Sequence, residues 1–336
     1  MQSTLAKENI MNTVLRWARH MMLVAAGLAV YGMAGAQGYP AKPVRLIVSG
    51  PAGGGADVIF RPVAQRLTEQ LGQQVVVDNR PGAGSIIAAQ QLMTAPADGY
   101  TVLQAGGSGF SIAPFAAKKQ PYDPERDFTP ITMVALAPLM ITVHPAVPAR
   151  SVSELVNLAR GKQNRFLYAS NGQASFSHLT TEYFNNTAGI AMTHVPYKGG
   201  TPAVIDTVAG HTQIVITAFP TLITQVKAAR LRAIAVTSIK RTAALPDLPT
   251  VAESGYPGFE AVQWYGMFAP RGISPAIVER LYGELRKAGG SQSLKEPLAQ
   301  EGAELAVAGP QALAEYLRAD MAKWRKVIKQ ANIVLE

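Results

Sequence analysis

From Val44 onward, short and almost wholly apolar runs alternate with longer stretches of helical period. Val44-Arg45-Leu46-Ile47-Val48 reads as a buried strand, followed by a glycine-rich turn and a helical pattern from about Asp57 to Leu71. The unit then repeats: an apolar strand Gln74 to Val77, the turn Arg80-Pro81-Gly82-Ala83-Gly84-Ser85, and a helix Ile86 to Met93. Thr101-Val102-Leu103 opens a third strand, with Gly106-Gly107-Ser108-Gly109 beyond its end. Strands that are apolar on both faces and alternate with helices predict an α/β fold whose parallel sheet is covered on both sides.

A proline-rich segment, Pro121 to Pro148, contains the apolar stretch Leu139 to Val143 and reads as a passage out of this first unit. A second βα series follows: helix Val152 to Arg160, strand Phe166 to Ala169, turn Ser170 to Ser175, and a helix from about His178 to Asn185. Strand Thr193 to Val195, turn Pro196 to Gly200, helix Ala203 to Ala209 and strands Ile214 to Thr217 and Ala233 to Thr237 continue it. The stretch Leu245 to Pro257 leads into Trp264 to Pro270, read as a return crossover, and helices near Pro275 to Lys287 and Gln311 to Ala331 are expected to pack on the first unit. Ligands of open α/β sheets sit beyond the carboxyl ends of the strands, where every glycine- and serine-rich turn named above is expected.

Ahead of this pattern, Lys7, Arg16 and Arg19 precede an apolar run from Met21 to Met33 that ends in Ala34-Gly35-Ala36. The run is about a dozen residues, short of the roughly twenty that cross a bilayer, and its small-residue end is that of a secretory signal peptide cleaved after Ala36. Residues 1–36 are thus expected to be the leader, starting at Met1 or Met11, and Gln37 the mature N-terminus. Cysteine is absent, which excludes a disulfide scaffold, a thiolate metal site, a cysteine nucleophile and a lipidated cysteine. The formal charge is +9, and removing Lys7, Arg16 and Arg19 together with Glu8 leaves about +7. That balance favours anionic ligands through long-range attraction. The basic residues are scattered, without the aromatic-interleaved stripe of a nucleic-acid surface.

The turn Pro51-Ala52-Gly53-Gly54-Gly55-Ala56-Asp57 opens onto a helix N-terminus and lets backbone N–H groups approach a ligand. Asp57 can cap that helix or touch the ligand. Neither this turn nor Gly82-Ala83-Gly84 completes a phosphate loop or a dinucleotide fingerprint, so no cofactor is expected. Ser175 and His178 invite a hydrolase reading, but Ser175 and Ser108 both lack the Gly-x-Ser-x-Gly elbow. His144, His178, His194 and His211 show no metal-ligand spacing and read as structural. Asp206 can cap a helix, pair with Lys198 or receive a ligand amino group.

In series, the turns and their flanks resemble one family, the solute receptors of tripartite tricarboxylate transporters, or Bug proteins. The matching segments are Tyr39-Pro40-Ala41-Lys42-Pro43-Val44-Arg45-Leu46-Ile47-Val48, Asn79-Arg80-Pro81-Gly82-Ala83-Gly84, Asp98-Gly99-Tyr100-Thr101 and Pro121-Tyr122-Asp123-Pro124. Tyr168-Ala169-Ser170, His194-Val195-Pro196-Tyr197-Lys198-Gly199, Ala235-Val236-Thr237-Ser238 and Leu248-Pro249-Thr250 complete the series over the whole mature chain.

The resemblance implies a two-lobed Venus-flytrap periplasmic binding protein, type II-like, with two crossover segments. The lobes are expected at 37–140 with 266–336, and at 141–265. It implies reversible capture of a small carboxylate, mono- or dicarboxylate and aromatic acids included, for a membrane transporter of large and small subunits, with the receptor a monomer and not an enzyme. The alternatives are a periplasmic serine hydrolase using Ser175 and His178, and a ligand-sensing input to a signalling partner. The ligand residues carried over are Gly53, Gly54, Asp57, Gly84, Ser85, Ser170, Gly172, Ser175, Thr201 and Asp206, with Ser108 added from the third strand end. The chain departs from the family at Ser49-Gly50, where Pro-Phe is common, at Ala174 in place of glycine, and at Pro62 within the first helix. The first departure removes an aromatic wall and predicts a roomier or wetter cleft.

Overall fold

A computed structural model describes residues 38–161, 166–289, 291–300 and 302–334. The expected leader, residues 1–36, lies outside them. The described residues from 42 on form one compact unit, and everything below concerns it.

Within it, β1 (Val44–Val48), β2 (Val75–Asn79) and β3 (Thr101–Gly106) form the expected parallel set, with β1 between the other two. Helix α1 (Gly55–Leu71) joins β1 to β2. It runs through Pro62, which removes one intrahelical donor, and ends on the left-handed Gly72. A 3-10 turn (Ala83–Ser85) and α2 (Ile86–Met93) join β2 to β3, which leads into a π turn (Gly107–Ile112) and the short α3 (Ala113–Ala116).

The proline-rich segment holds a strand, β4 (Phe128–Val143), which belongs to two sheets at once. From Phe128 to Pro138 it pairs antiparallel with β9 (Val262–Pro270), and from Leu139 to Val143 it pairs with two other strands, β7 (Ile214–Ala218) and β8 (Arg232–Val236). Pro138 cannot donate to a ladder, and the partner changes immediately after it; the register also shifts beside Pro130. The second sheet is completed by β5 (Leu167–Ser170), parallel to both β6 (Thr193–Pro196) and β7.

Helices α4 (Val152–Gly161), α5 (Phe176–Ala188), α6 (Gly200–Val208) and α7 (Phe219–Lys227) cover that second sheet. Its strands show why their sequences are continuously apolar. Met140, Ala169 and Val215 face a core with Val204, Phe219 and Leu222, while their neighbours Ile141, Tyr168 and Ile216 face another with Leu155, Leu179 and Phe184.

Two features differ from the sequence reading. Trp264 to Pro270 is not itself the return crossover: it lies inside β9, paired with β3 and β4 of the first sheet. The chain changes sheets just before, since the Ala261 N–H still bonds to the Thr237 carbonyl (2.9 Å) and Val262 already pairs with Pro138. After α8 (Pro275–Ala288), α9 (Gln292–Gln300) and β10 (Glu304–Ala308), the last helix, α10 (Pro310–Gln330), serves both cores. Leu313, Leu317 and Met321 pack with Trp264 and Phe268, whereas Trp324, Val327 and Ile328 pack with Phe176 and Leu179. Its apolar stripe is long enough to outrun one sheet. No helix of the described residues is long and apolar enough to cross a membrane.

Candidate functional site

Because β1, β2 and β3 are parallel, the turns that follow them share one edge of the first sheet. Gly53 adopts φ +75°, a conformation open to glycine, and its N–H donates to Asp57 Oδ2 (2.8 Å). Arg61 Nε donates to the same oxygen (2.7 Å) and Asn79 Nδ2 to Asp57 Oδ1 (2.9 Å). Burial of this carboxyl opposes ionisation, but the bonds from Gly53, Arg61 and Asn79 outweigh it and hold its pKa below the usual carboxylate value. Asp57 therefore ties the turn to the end of β2 instead of capping its own helix, where Gly54 stands at the cap without a side-chain bond. The first N–H groups of α1 have no intrahelical acceptor and carry the positive end of its dipole.

The other two loops of this edge meet each other. Gly84 and Ser85 are both left-handed (φ +62° and +81°), and Gly109 lies so close that a Cβ there would stand 2.7 Å from Ser85 Cβ. Ser108 Oγ approaches Gln263 Oε1 of β9 (3.4 Å). The sequence reading missed two buried or half-buried amides here. Gln104 on β3 is 2% exposed, and its Oε1 accepts from both the N–H and the Oγ of Ser49 (3.1 and 3.0 Å). The lone glutamines inside Val-Leu-Gln-Ala and Val-Gln-Trp were the available signal, since an amide in a buried strand needs a partner.

The second sheet presents a matching edge after β5, β6 and β7. Ser170 is fully buried, with its Oγ against His194 Nε2 (2.6 Å) and receiving the Gly172 N–H (3.1 Å). Gly172 takes φ +126°, and a Cβ there would press on the Tyr197 carbonyl at 3.0 Å. Ala174 holds the left-handed conformation (φ +54°) that favours glycine, and its N–H donates to His178 Nδ1 (3.1 Å). Asn171 links the three strand ends: its carbonyl accepts from the Gly199 N–H (3.2 Å) and its Oδ1 from Thr217 Oγ1 (3.0 Å). Thr201 lies exposed in the first turn of α6, behind the left-handed Gly199.

The two edges approach one another where the π turn meets α5. A Cβ at Gly107 would stand 3.3 Å from Phe176 Cε2 and 3.4 Å from Gln263 Oε1. Asp206 has its carboxylate engaged elsewhere, by His211 Nδ1 (2.8 Å) and by the Tyr197 hydroxyl, and not by Lys198. Its pKa is lowered by the His211 and Tyr197 hydrogen bonds, while burial and the Asp206 carboxylate push Tyr197 up to about 12.

The hydrolase geometry fails. Ser175 Oγ is the N-cap of α5 and accepts the His178 backbone N–H (3.2 Å), while the His178 ring turns to Ala174 and stacks on His194. A serine nucleophile requires the ring of its base, not the amide. Among the described residues, no group of three or more histidines and carboxylates is placed to hold a metal ion.

Residues 59–333 match the tripartite tricarboxylate transporter family receptor. The chain belongs to this family. Protein BugT of Bordetella pertussis is 32% identical over 330 residues, covering 96% of this chain and all of BugT. The structure of Rpa4515 from R. palustris with adipate is 35% identical, with a TM-score of 0.78 over 88% of this chain and 99% of that one. MatC from Rhodopseudomonas palustris with bound malate is 26% identical, with a TM-score of 0.73 over 86% of this chain and all of MatC. The fold is accordingly the mixed α/β periplasmic binding protein fold, and a receptor of this family binds solutes without converting them. The serine hydrolase alternative is set aside on both the geometry and the family.

Proposed function

We propose that this receptor captures a small mono- or dicarboxylate in a cleft between two lobes, 37–140 with 266–336 and 141–265, and hands it to a membrane transporter of large and small subunits. The observation that carries the reading is the pair of donor-rich strand-end edges, one at the N-terminus of α1 and one at Ser170 to Ser175, which approach each other at Gly107 and Phe176. Backbone N–H groups and hydroxyls there suit a carboxylate, which needs donors and repels acceptors. The relatives that hold adipate and malate support the same ligand class. Gly53, Gly54, Gly84, Ser85, Ser108, Gly172 and Thr201 supply the ligand contacts in this reading, while Asp57, Ser170, Ser175 and Asp206 shape the loops that carry them. The mature protein begins at Gln37 in the periplasm and acts as a monomer.

Thermal unfolding of protein stripped of ligand by refolding tests this directly, against adipate, malate, benzoate and their neutral amides. Ligand at a hundred times its dissociation constant adds about 2.7 kcal/mol, a clear rise in midpoint. A rise with an acid and none with its amide is the expected result. No rise with any acid would sink the proposal.

A further inference from the structure

The second-sheet edge contains a device that ligand binding by itself does not require. The rings of His178 (α5) and His194 (β6) stack at 3.7 Å with an interplanar angle of 12°, and Tyr168 of β5 stacks on His194 at 5.0 Å. Each histidine grips one end of the Ser170 to Ser175 loop: His194 Nε2 lies 2.6 Å from Ser170 Oγ, and His178 Nδ1 accepts the Ala174 N–H at 3.1 Å. The loop between these grips holds two positive-φ residues, Gly172 and Ala174, the second in a left-handed conformation that a residue with a Cβ adopts only where its surroundings hold it there.

We propose that the His178–His194 stack is the positioning device of the second-lobe ligand loop, holding it in its binding conformation only while His178 Nδ1 is free to accept. This rests on the carboxylate-receptor reading above. The chemistry follows from the tautomer. An N–H donor facing Nδ1 requires the proton of neutral His178 to sit on Nε2, so a second proton must go to Nδ1, where it meets the Ala174 N–H and breaks the grip. A proton on either ring also opposes the other across the stack. The titratable groups facing the pair are Tyr168, whose hydroxyl bonds to Glu182, and the two histidines themselves; the described contacts place no carboxylate on either ring. Burial, and for His178 the neighbouring His194 ring, hold the histidines down to about 3 and about 4, so both are neutral at pH 7. Acidification releases the loop, and with it the ligand.

The test compares wild type with His178→Phe, which keeps the ring and loses the acceptor, and His178→Gln, which keeps an acceptor that cannot titrate. Hydrogen exchange of the ligand-free protein over residues 170–176 reads the loop without any ligand. The expected result is lower protection in His178→Phe at pH 7, near-wild-type protection in His178→Gln, and, once exchange is corrected for its intrinsic pH dependence, protection lost as pH falls from about 5 to about 3 in wild type but not in His178→Gln. Adipate affinity should fall roughly three- to tenfold in His178→Phe, the worth of one hydrogen bond, with the ligand-free unfolding midpoint as the folding control. Protonation of adipate cancels in the wild-type to His178→Gln ratio. Equal loop exchange in all three proteins, or a loosened loop with unchanged adipate affinity, would overturn the proposal. Wild type that binds no adipate, with the exchange pattern as expected, would count against the choice of ligand and leave the clamp standing.

Discussion

At the residue scale, the polar groups that decide this molecule are buried ones with specific partners. His178 and His194 are held neutral in the fold while an unfolded histidine takes up its proton near pH 6.5. For a depressed histidine, stability is full above the unfolded pKa and declines as pH falls toward the folded one, because the unfolded state binds protons that the folded state refuses. The window therefore runs from about pH 6.5 down to about 4 for His194 and about 3 for His178. Asp57 and Asp78 act lower: their folded pKa values are depressed, so their contribution is present above the ordinary carboxylate value and is lost as pH falls below it. Urea unfolding of ligand-free protein should lose stability as soon as pH drops below about 6.5, and His178→Gln should lose it less steeply, by up to roughly 1.4 kcal/mol per pH unit. Superimposable pH profiles would refute this assignment of the acid limb.

At the element scale, α10 is the brace of the structure. Asp320, 4% exposed, accepts the indole N–H of Trp264 from β9 (2.8 Å) and that of Trp324 from its own helix (2.9 Å), with Lys323 Nζ at 2.9 Å. One carboxylate thus fixes the rings that lead into each core. Asp320→Ala leaves two buried indole donors without an acceptor and removes the carboxylate partner of Lys323, whose Nζ keeps the Glu260 carbonyl (3.3 Å), and should cost about 3–5 kcal/mol in denaturant unfolding. Asp320→Asn retains one acceptor oxygen and should cost less. A loss below about 1 kcal/mol for the alanine variant would show that the helix is held by its apolar stripe alone. The same scale shows what periodicity misses. Helix α7 (Phe219–Lys227) hides behind Pro220, tolerated because it sits in the first helical turn, and the sixteen-residue β4 hides because its two prolines read as breaks.

At the scale of the whole molecule, Ser49-Gly50, where the family resemblance implies Pro-Phe, bears on what the proposed cleft admits. Gly50 is half-buried, with a negative or extended backbone, and a Cβ added there would meet Ala56 Cβ at an ordinary 3.5 Å. A Cβ is therefore accommodated without strain, next to the residue whose N–H and hydroxyl bond Gln104. Gly50→Phe should narrow the cleft. Calorimetric titration is expected to show affinity for benzoate and adipate falling about tenfold, more than for malate, as one misfitted group of this size commonly costs 1–3 kcal/mol. Unchanged affinity for all three acids would mean that the position does not border the ligand.

The repeated strand–turn–helix units, the placement of glycine- and serine-rich turns at strand ends, and the family were all legible in the sequence, because local periodicity and short motifs are properties of neighbouring residues. The partners of buried polar groups were not. Asp206 was a candidate for Lys198 and instead bonds His211 and Tyr197; Asp57 was a candidate cap and instead ties β1's turn to β2; His178 and His194 looked isolated and are stacked. Strand β4's change of sheets at Pro138 and the shared duty of α10 were equally hidden. Each depends on which of several candidate partners, near or far along the chain, the fold brings within hydrogen-bond or stacking distance, a matter of packing and desolvation that only the tertiary structure decides.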